Sequence, residues 1–274
     1  MPTKPITPTP KYNSESIGLD WASMSSWFQL LLILNVSLLI LNCGLDIEDP
    51  TPPLPPVWVE KSLPEEWPER GIDAHESGGI YLEWEPNPEE DIVVYNIYRA
   101  TWFEVNDSLG EYSLLTRIKI EPLLKTEFVD RNVQQRARYY YKLKSQDASD
   151  NLSDYSDSTC YSPMSRIRVD SMNPNGLTEL LNENRIFSWI YLYSIEMENY
   201  NFTILSEYDE LIVRITISPS DYTGSGEEWQ LPANISLHSG GNYKWRIDTG
   251  SQYVDGRETC GSESPWAPFL YLGD

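Results

Sequence analysis

The fold is decided by Arg138-Tyr-Tyr-Tyr-Lys-Leu-Lys-Ser-Gln-Asp147. The stretch alternates strictly. Tyr139, Tyr141, Leu143 and Ser145 fall on one side, and Tyr140, Lys142, Lys144 and Gln146 on the other. A period of two, rich in aromatics and long-stemmed lysines, predicts a strand that packs on a core through one face only. Further along the chain the pattern recurs as Tyr243-Lys-Trp-Arg-Ile-Asp-Thr249. Here Tyr243, Trp245, Ile247 and Thr249 are expected inside, and Lys244, Arg246 and Asp248 in solvent.

Around these two strands the composition sets bounds. The chain has 274 residues, enough for two domains of ordinary size. Asp+Glu number 42 against 20 Lys+Arg, a formal charge of −22. Such a chain is repelled by nucleic acid and by bare anionic lipid, so neither is an expected partner. The excess carboxylate is expected to serve solubility first. With 10 Trp and 18 Tyr the chain is not a disordered acidic polymer but a folded, β-rich one. Two histidines and three cysteines leave little material for catalysis or for soft metals.

The N-terminal part is organised differently. After a polar segment comes the apolar run from Phe28 to Cys43, at about fifteen apolar residues long enough for a signal-peptide core and short for a membrane span. Its end, Ile40-Leu-Asn-Cys-Gly44, resembles the lipobox of bacterial lipoproteins, with Asn42 where that family usually has a small residue. The resemblance implies cleavage after residue 42 and lipid on Cys43. It also implies sorting to the outer membrane, facing the periplasm or the cell surface. An uncleaved signal anchor over Trp21 to Leu41 is the competing expectation, and Met24 is an alternative start. Residues 43–56 are acidic and proline-rich, ending Thr51-Pro-Pro-Leu-Pro-Pro56, which predicts an extended tether.

From Val57 the β pattern takes over. Val57 to Glu60, Gly79 to Glu85, Ile92 to Arg99, Tyr112 to Ile118, Thr126 to Val129, the opening stretch and Asp154 to Tyr161 are strand candidates, with turn clusters such as Pro86 to Asp91 between them. In Ile92 to Arg99, Val93, Tyr95 and Ile97 are expected to share the inner face. About seven short strands without a helix predict a β-sandwich.

The segments Trp84-Glu-Pro-Asn-Pro-Glu-Glu-Asp-Ile-Val-Val-Tyr-Asn-Ile-Tyr-Arg99, Phe128-Val-Asp130, Tyr139-x-Tyr-x-Leu-x-Ser145 and Asp147-x-x-x-Asn-Leu-Ser153 resemble a fibronectin type III domain of the bacterial kind. The likeness spans residues 57–163. It implies that Trp84 packs between the sheets and that Tyr139 makes the tyrosine corner.

Residues 164–274 keep the spacing of the aromatic landmarks. Eleven residues separate Trp84 from Tyr95 and again Trp189 from Tyr200; 44 separate Tyr95 from Tyr139, and 43 separate Tyr200 from Tyr243. This predicts a second fibronectin type III-like sandwich. Its expected parts are a first strand over Ser165 to Val169, a short helix over Leu177 to Leu181, middle strands and a loop between Leu211 and Trp229, and a last strand over Gly261 to Leu272 with Trp266 and Phe269 available to the core. The fold class is therefore all-β: two tandem immunoglobulin-like sandwiches behind a leader. Trp84, Tyr95, Tyr139, Trp189, Tyr200 and Tyr243 are its structural core.

Chemistry-bearing patterns are few. His75 and His238 lack the partners of a zinc or triad motif, and no nucleotide fingerprint occurs. Adjacent pairs such as Glu89-Glu90 do not face each other across a cleft as glycosidase carboxylates must. Asp147, Asp150, Asp154 and Asp157 lack the spacing of a calcium loop, so no metal and no cofactor is expected. Cys160 and Cys260 lie near the ends of their units, either free or bridged in an oxidising compartment.

The resemblances together imply a non-enzymatic protein held at a membrane in the cell envelope by its lipid. Its sandwiches would serve in protein binding, in adhesion or as spacers. The alternatives are a carbohydrate-recognition module for a partner enzyme and a signal-anchored component of an envelope complex. The ligand, protein or glycan, is unspecified by the sequence. Trp102, Phe103, Tyr222 and Trp229 are the loop aromatics expected to meet it.

Overall fold

The computed structural model describes residues 49–273, apart from 65, 122–123, 177–178, 182–183, 192–196, 220–225 and 252–255. The leader, Cys43 and Tyr222 lie outside the described residues. Pro50–Asp274 forms one compact unit. The first sandwich contains β1 (Ile72–Ala74), β2 (Ile80–Glu83), β3 (Ile92–Phe103), β4 (Ser113–Lys119), β5 (Glu127–Asp130), β6 (Tyr139–Asp147) and β7 (Thr159–Pro163). One sheet has the order β1-β2-β5 and the other β4-β3-β6-β7, all antiparallel. Three strands facing four is the fibronectin type III arrangement.

The second sandwich is also two-layered, its smaller sheet having two strands among the described residues. β8 (Ile186–Trp189) pairs with β11 (Glu227–Gln230), facing a sheet of β10 (Leu211–Ile217), β9 (Asn199–Ser206), β12 (Gly241–Ser251) and the edge pieces β13 (Cys260–Ser262) and β14 (Ala267–Leu272). The expected single last strand is two because Ser264 and Pro265 interrupt it. Ser264 mends the gap: its hydroxyl accepts from the Ile247 N–H, replacing a ladder bond. Ser156 and Ser153 do the same for Leu143 and Ser145 in the first sandwich.

Each sandwich has its own apolar core. Trp84, Tyr95, Tyr139, Trp189, Tyr200 and Tyr243 are all buried. The equivalence shows in geometry as well as spacing. Trp84 meets Tyr95 edge to face at 5.3 Å between ring centroids, and Trp189 meets Tyr200 likewise at 5.0 Å. The Tyr139 hydroxyl accepts from the Gln134 N–H at 2.9 Å, and the Tyr243 hydroxyl from the His238 N–H at 2.8 Å. Two sequences with little else in common thus build the same corner.

Several expectations need correction. Val93 does not share a face with Tyr95 and Ile97. A bulge between Ile92 and Val94 turns Ile92 inward and leaves Val93 exposed. Ser165 to Val169 is not a strand: Ile167 is buried without a ladder, and Val169–Ser171 is a single 3-10 turn. Glu179–Leu181 is a strand paired with β14, not helix. Trp266 is only half-buried, under the cations of Lys244 and Arg246. Most consequential, Asp248 is not solvated. The alternation of β12 stops at Ile247, and Asp248 through Ser251 are all buried, because the first sandwich packs over that end of the strand.

Candidate functional site

The contact between the sandwiches begins in the backbone. β7 and β13 pair in parallel, Ser162 opposite Cys260, so one eleven-stranded sheet runs through both cores. The Ser162 N–H donates to the Thr259 carbonyl at 2.9 Å and the Met164 N–H to that of Gly261 at 2.6 Å. Gly261 belongs here for lack of a side chain. A Cβ would stand 2.6 Å from the Tyr161 hydroxyl and collide with the Thr249 carbonyl.

Around this ladder lies a buried polar cluster. Tyr161 is fully buried, its hydroxyl 3.1 Å from Asp73 Oδ1 and 2.7 Å from Glu258 Oε1. Asn201 Nδ2 donates to Glu258 Oε2, and Glu69 and Asp73 line the same cavity. Arg246 contacts Asp248 at 2.8 Å and Glu263 at 2.7 Å. Lys61 contacts Glu69 at 2.8 Å, and Arg214 contacts Glu66 at 3.4 Å. Burial, then the neighbouring Asp73, pushes the Glu69 carboxyl up to about 9. Burial pushes Asp248 up to about 7 against the pull of Arg246. It raises Asp73, Glu258 and Glu263 too.

A different surface lies on the outside of the β4-β3-β6-β7 sheet. The residues of β6 that the alternation turns outward, Tyr140, Lys142 and Lys144, meet a roof of tyrosines. The Lys142 ammonium sits 4.8 Å from the Tyr112 ring centre and 5.6 Å from that of Tyr155, and Lys144 sits 4.3 Å from Tyr155. Tyr155 in turn meets Tyr98 edge to face at 5.1 Å. Arg117 and Lys119 on β4 are exposed beside them. Among the described residues no carboxylate lies within ion-pair distance of these four cations, in a chain with 42 acids. Cations held over aromatic faces gain about 0.5–1 kcal/mol each while keeping their charge on display. Asn96, opposite both Arg117 and Lys144, is buried with no partner for its side-chain amide. At one border Tyr155 also lines a cleft of about 400 Å³ with Pro55, Pro56, Trp58 and Asp157, next to the tether.

The loop aromatics expected to bind are dispersed. Trp102 is half-buried, tilted against Tyr140 at 6.1 Å, and Phe103 is exposed; both stand at the end of β3. Trp229 is not in a loop. It lies in β11 and packs on Phe202, 4.6 Å between centroids, at the edge of the second core. Of the three described, only Trp102 touches the cationic face, through Tyr140. Sequence reasoning missed that face because it weighed Lys142 and Lys144 simply as the wet side of a strand. The available signal was the outward aromatic, Tyr140, ahead of the two lysines.

The remaining polar residues have local tasks. His75 Nδ1 lies 2.8 Å from Ser77 Oγ in a tight turn, its ring nitrogen also accepting from the Ser77 N–H. Asp147 accepts from the Ser149 and Asn151 amides, Asp150 from Gln146, and Asp157 from Arg70. Asp147 also stands with Asp49 and Asp91, one carboxylate oxygen of each lying within 4.8 Å of the others, a group that could hold a metal ion. Among the described residues, no disulfide joins Cys160 and Cys260.

The strand order defines an all-β chain of two tandem sandwiches with the fibronectin type III arrangement. No family model matches the sequence, and no curated protein matches it. Among solved structures it is similar to the FN1–FN3 domains of chicken CNTN1, at 11% identity and a TM-score of 0.34, over 80% of this chain and 69% of that one. It is also similar to a two-domain fibronectin type III segment of chicken tenascin, at 15% identity and a TM-score of 0.26, over 72% and 93% respectively. At these values the likeness adds nothing to what the strand order itself shows.

Proposed function

We propose that the chain is a non-enzymatic binding protein of the bacterial cell envelope, anchored by lipid on Cys43, that holds an anionic partner on the tyrosine–lysine face of its first sandwich. The observation that carries the binding role is the segregation of charge. Lys142, Lys144, Arg117 and Lys119 share one face, with no carboxylate within ion-pair distance among the described residues, while the chain as a whole carries −22. Such a face attracts an anion locally, within a screening length of about 8–10 Å, whereas the rest of the surface repels it. The proline-rich segment expected as a free tether is docked at its end on the first sandwich, where Leu54 bonds to Glu89, Asn87 and Ser145.

Two measurements test the reading. Mass spectrometry of the purified N-terminus is expected to find a diacylglyceryl group on Cys43, and an intact bond between residues 42 and 43 contradicts the anchor. The full chain in detergent is expected to bind an anionic polymer, poly-glutamate or oligogalacturonate, in a salt-sensitive manner. Lys142→Gln with Lys144→Gln is expected to weaken that binding about tenfold. Failure of both polymers to bind, or equal binding by the variant, contradicts the assignment of the face.

A further inference from the structure

The joint between the sandwiches poses a question of proton count. The Tyr161 hydroxyl has one proton to donate, yet it lies within hydrogen-bond distance of two carboxyls, Asp73 and Glu258. Ionised carboxylates only accept. Both contacts are hydrogen bonds only if one of those carboxyls carries a proton of its own. Glu69 and Asp73 border one cavity, where two ionised carboxylates repel each other.

The surroundings point the same way. Glu69, Asp73, Asp248, Glu258 and Glu263 all line one enclosed cavity of about 10 Å³, and no cation does. Trp67 Nε1, Glu69 Oε2 and Asn201 Oδ1 border it without partners, one donor and two acceptors, the complement of a single water. A donor among the three makes the cavity a poor seat for a metal ion. Arg246 and Lys61 offset part of the cluster's charge, and protons are the means of neutralising the rest.

We propose that the joint is a proton-dependent latch. Protons held among Glu69, Asp73, Glu258 and their neighbours keep the two sandwiches in one body, and their loss loosens the contact.

Every packed element contributes a titratable or charged group. The first sandwich brings Lys61, Glu66, Glu69, Asp73 and Tyr161, with His75, Glu76 and Tyr81 at the rim of an adjoining cleft of about 240 Å³. The second brings Arg214, Arg246, Asp248, Glu258 and Glu263, with Arg257 paired to Glu60 outside. Burial opposes the charge of Arg246, but Asp248, Glu263 and Asp73 outweigh it and hold it charged. Lys61 likewise stays charged beside Glu69 and Glu83 despite its burial. Burial lowers His75 below the usual imidazole range, so it is neutral where the carboxyls titrate. Tyr81 and Tyr161 are raised by burial and stay neutral. The carboxyls are the titrating groups.

Their sign is opposite to that of an ordinary ion-paired acid. A carboxyl whose folded value lies above its unfolded one contributes stability in full below the ordinary carboxyl range, near 4, and loses it as pH rises. For Asp248 the loss runs from about 4 up to about 7, and for Glu69 up to about 9. The latch is closed in acid and loosens toward alkaline pH.

Amide hydrogen exchange of the full chain tests this. The Ser162 and Met164 N–H groups report the joint, and the Tyr95 and Phe202 amides report the two cores. Between about pH 5 and about pH 9, joint protection relative to the cores, corrected for intrinsic rates, is expected to fall about tenfold or more. Glu69→Gln, which keeps the shape of the neutral acid, is expected to fold normally and to lose less protection at the alkaline end. A pH-independent ratio overturns the latch, as does a Glu69→Gln variant with the wild-type fall.

Discussion

Gly261→Ala is the substitution that presses hardest on the joint. Gly261 does not need glycine for its dihedral angles, since it is not among the residues with positive φ. Its need is for space. An added Cβ would collide with Glu258 Oε1 and with the Thr249 carbonyl on β12 and lie 2.6 Å from the Tyr161 hydroxyl, so both side chains must move. Moving them breaks the Tyr161–Glu258 contact and disturbs that of Tyr161 with Asp73. Overpacking of this kind costs about 1–3 kcal/mol, and leaving buried acceptors unmet adds about 1 kcal/mol or more. A loss of about 3 kcal/mol lowers the melting temperature of a body this size by about 6–12 °C. Urea denaturation followed by far-UV circular dichroism measures it directly, with the midpoint expected to fall while the slope stays unchanged. A variant whose midpoint matches wild type would falsify the close approach of β7 and β13.

Three further outcomes follow from particular contacts. Tyr139→Phe and Tyr243→Phe are each expected to cost about 1 kcal/mol, by loss of the corner hydrogen bond from Gln134 or His238; a difference of more than about twofold between them in urea denaturation contradicts the equivalence of the two corners. Cys160 is half-buried, its thiol pushed up by burial, and Cys260 is buried. Alkylation in the native state is therefore expected to be slow at Cys160 and absent at Cys260, as peptide mapping reports. Denatured protein is expected to show two reactive thiols if Cys43 is lipidated and all three cysteines if it is not.

Much of the fold is legible in the sequence because period-two alternation and aromatic spacing are local signals. Tyr139 to Ser145 and Tyr243 to Ile247 alternate as expected, and Trp84 and Trp189 lie buried beside Tyr95 and Tyr200. The failures have non-local causes. Asp248 continues a polar alternation but is covered by the other sandwich, and nothing within its own strand announces that cover. Glu69, Asp73 and Glu258 are unremarkable acids in a chain full of them. Only the parallel pairing of β7 with β13 brings Glu258 against Tyr161. The bulge at Ile92–Val94 is equally silent, since Ile-Val-Val offers an apolar residue in either register. The cationic face stands between these cases. Its lysines were visible in the alternation, but the roof of Tyr112 and Tyr155 comes from a loop and a neighbouring strand end.

The account rests on the two sandwiches being a single body joined through β7 and β13. Differential scanning calorimetry of the full chain near about pH 5, where the buried acids hold their protons, tests this most directly. A single transition is predicted, with the calorimetric enthalpy equal to the van't Hoff enthalpy. Two separate transitions, each with the enthalpy of about half the body, would contradict it.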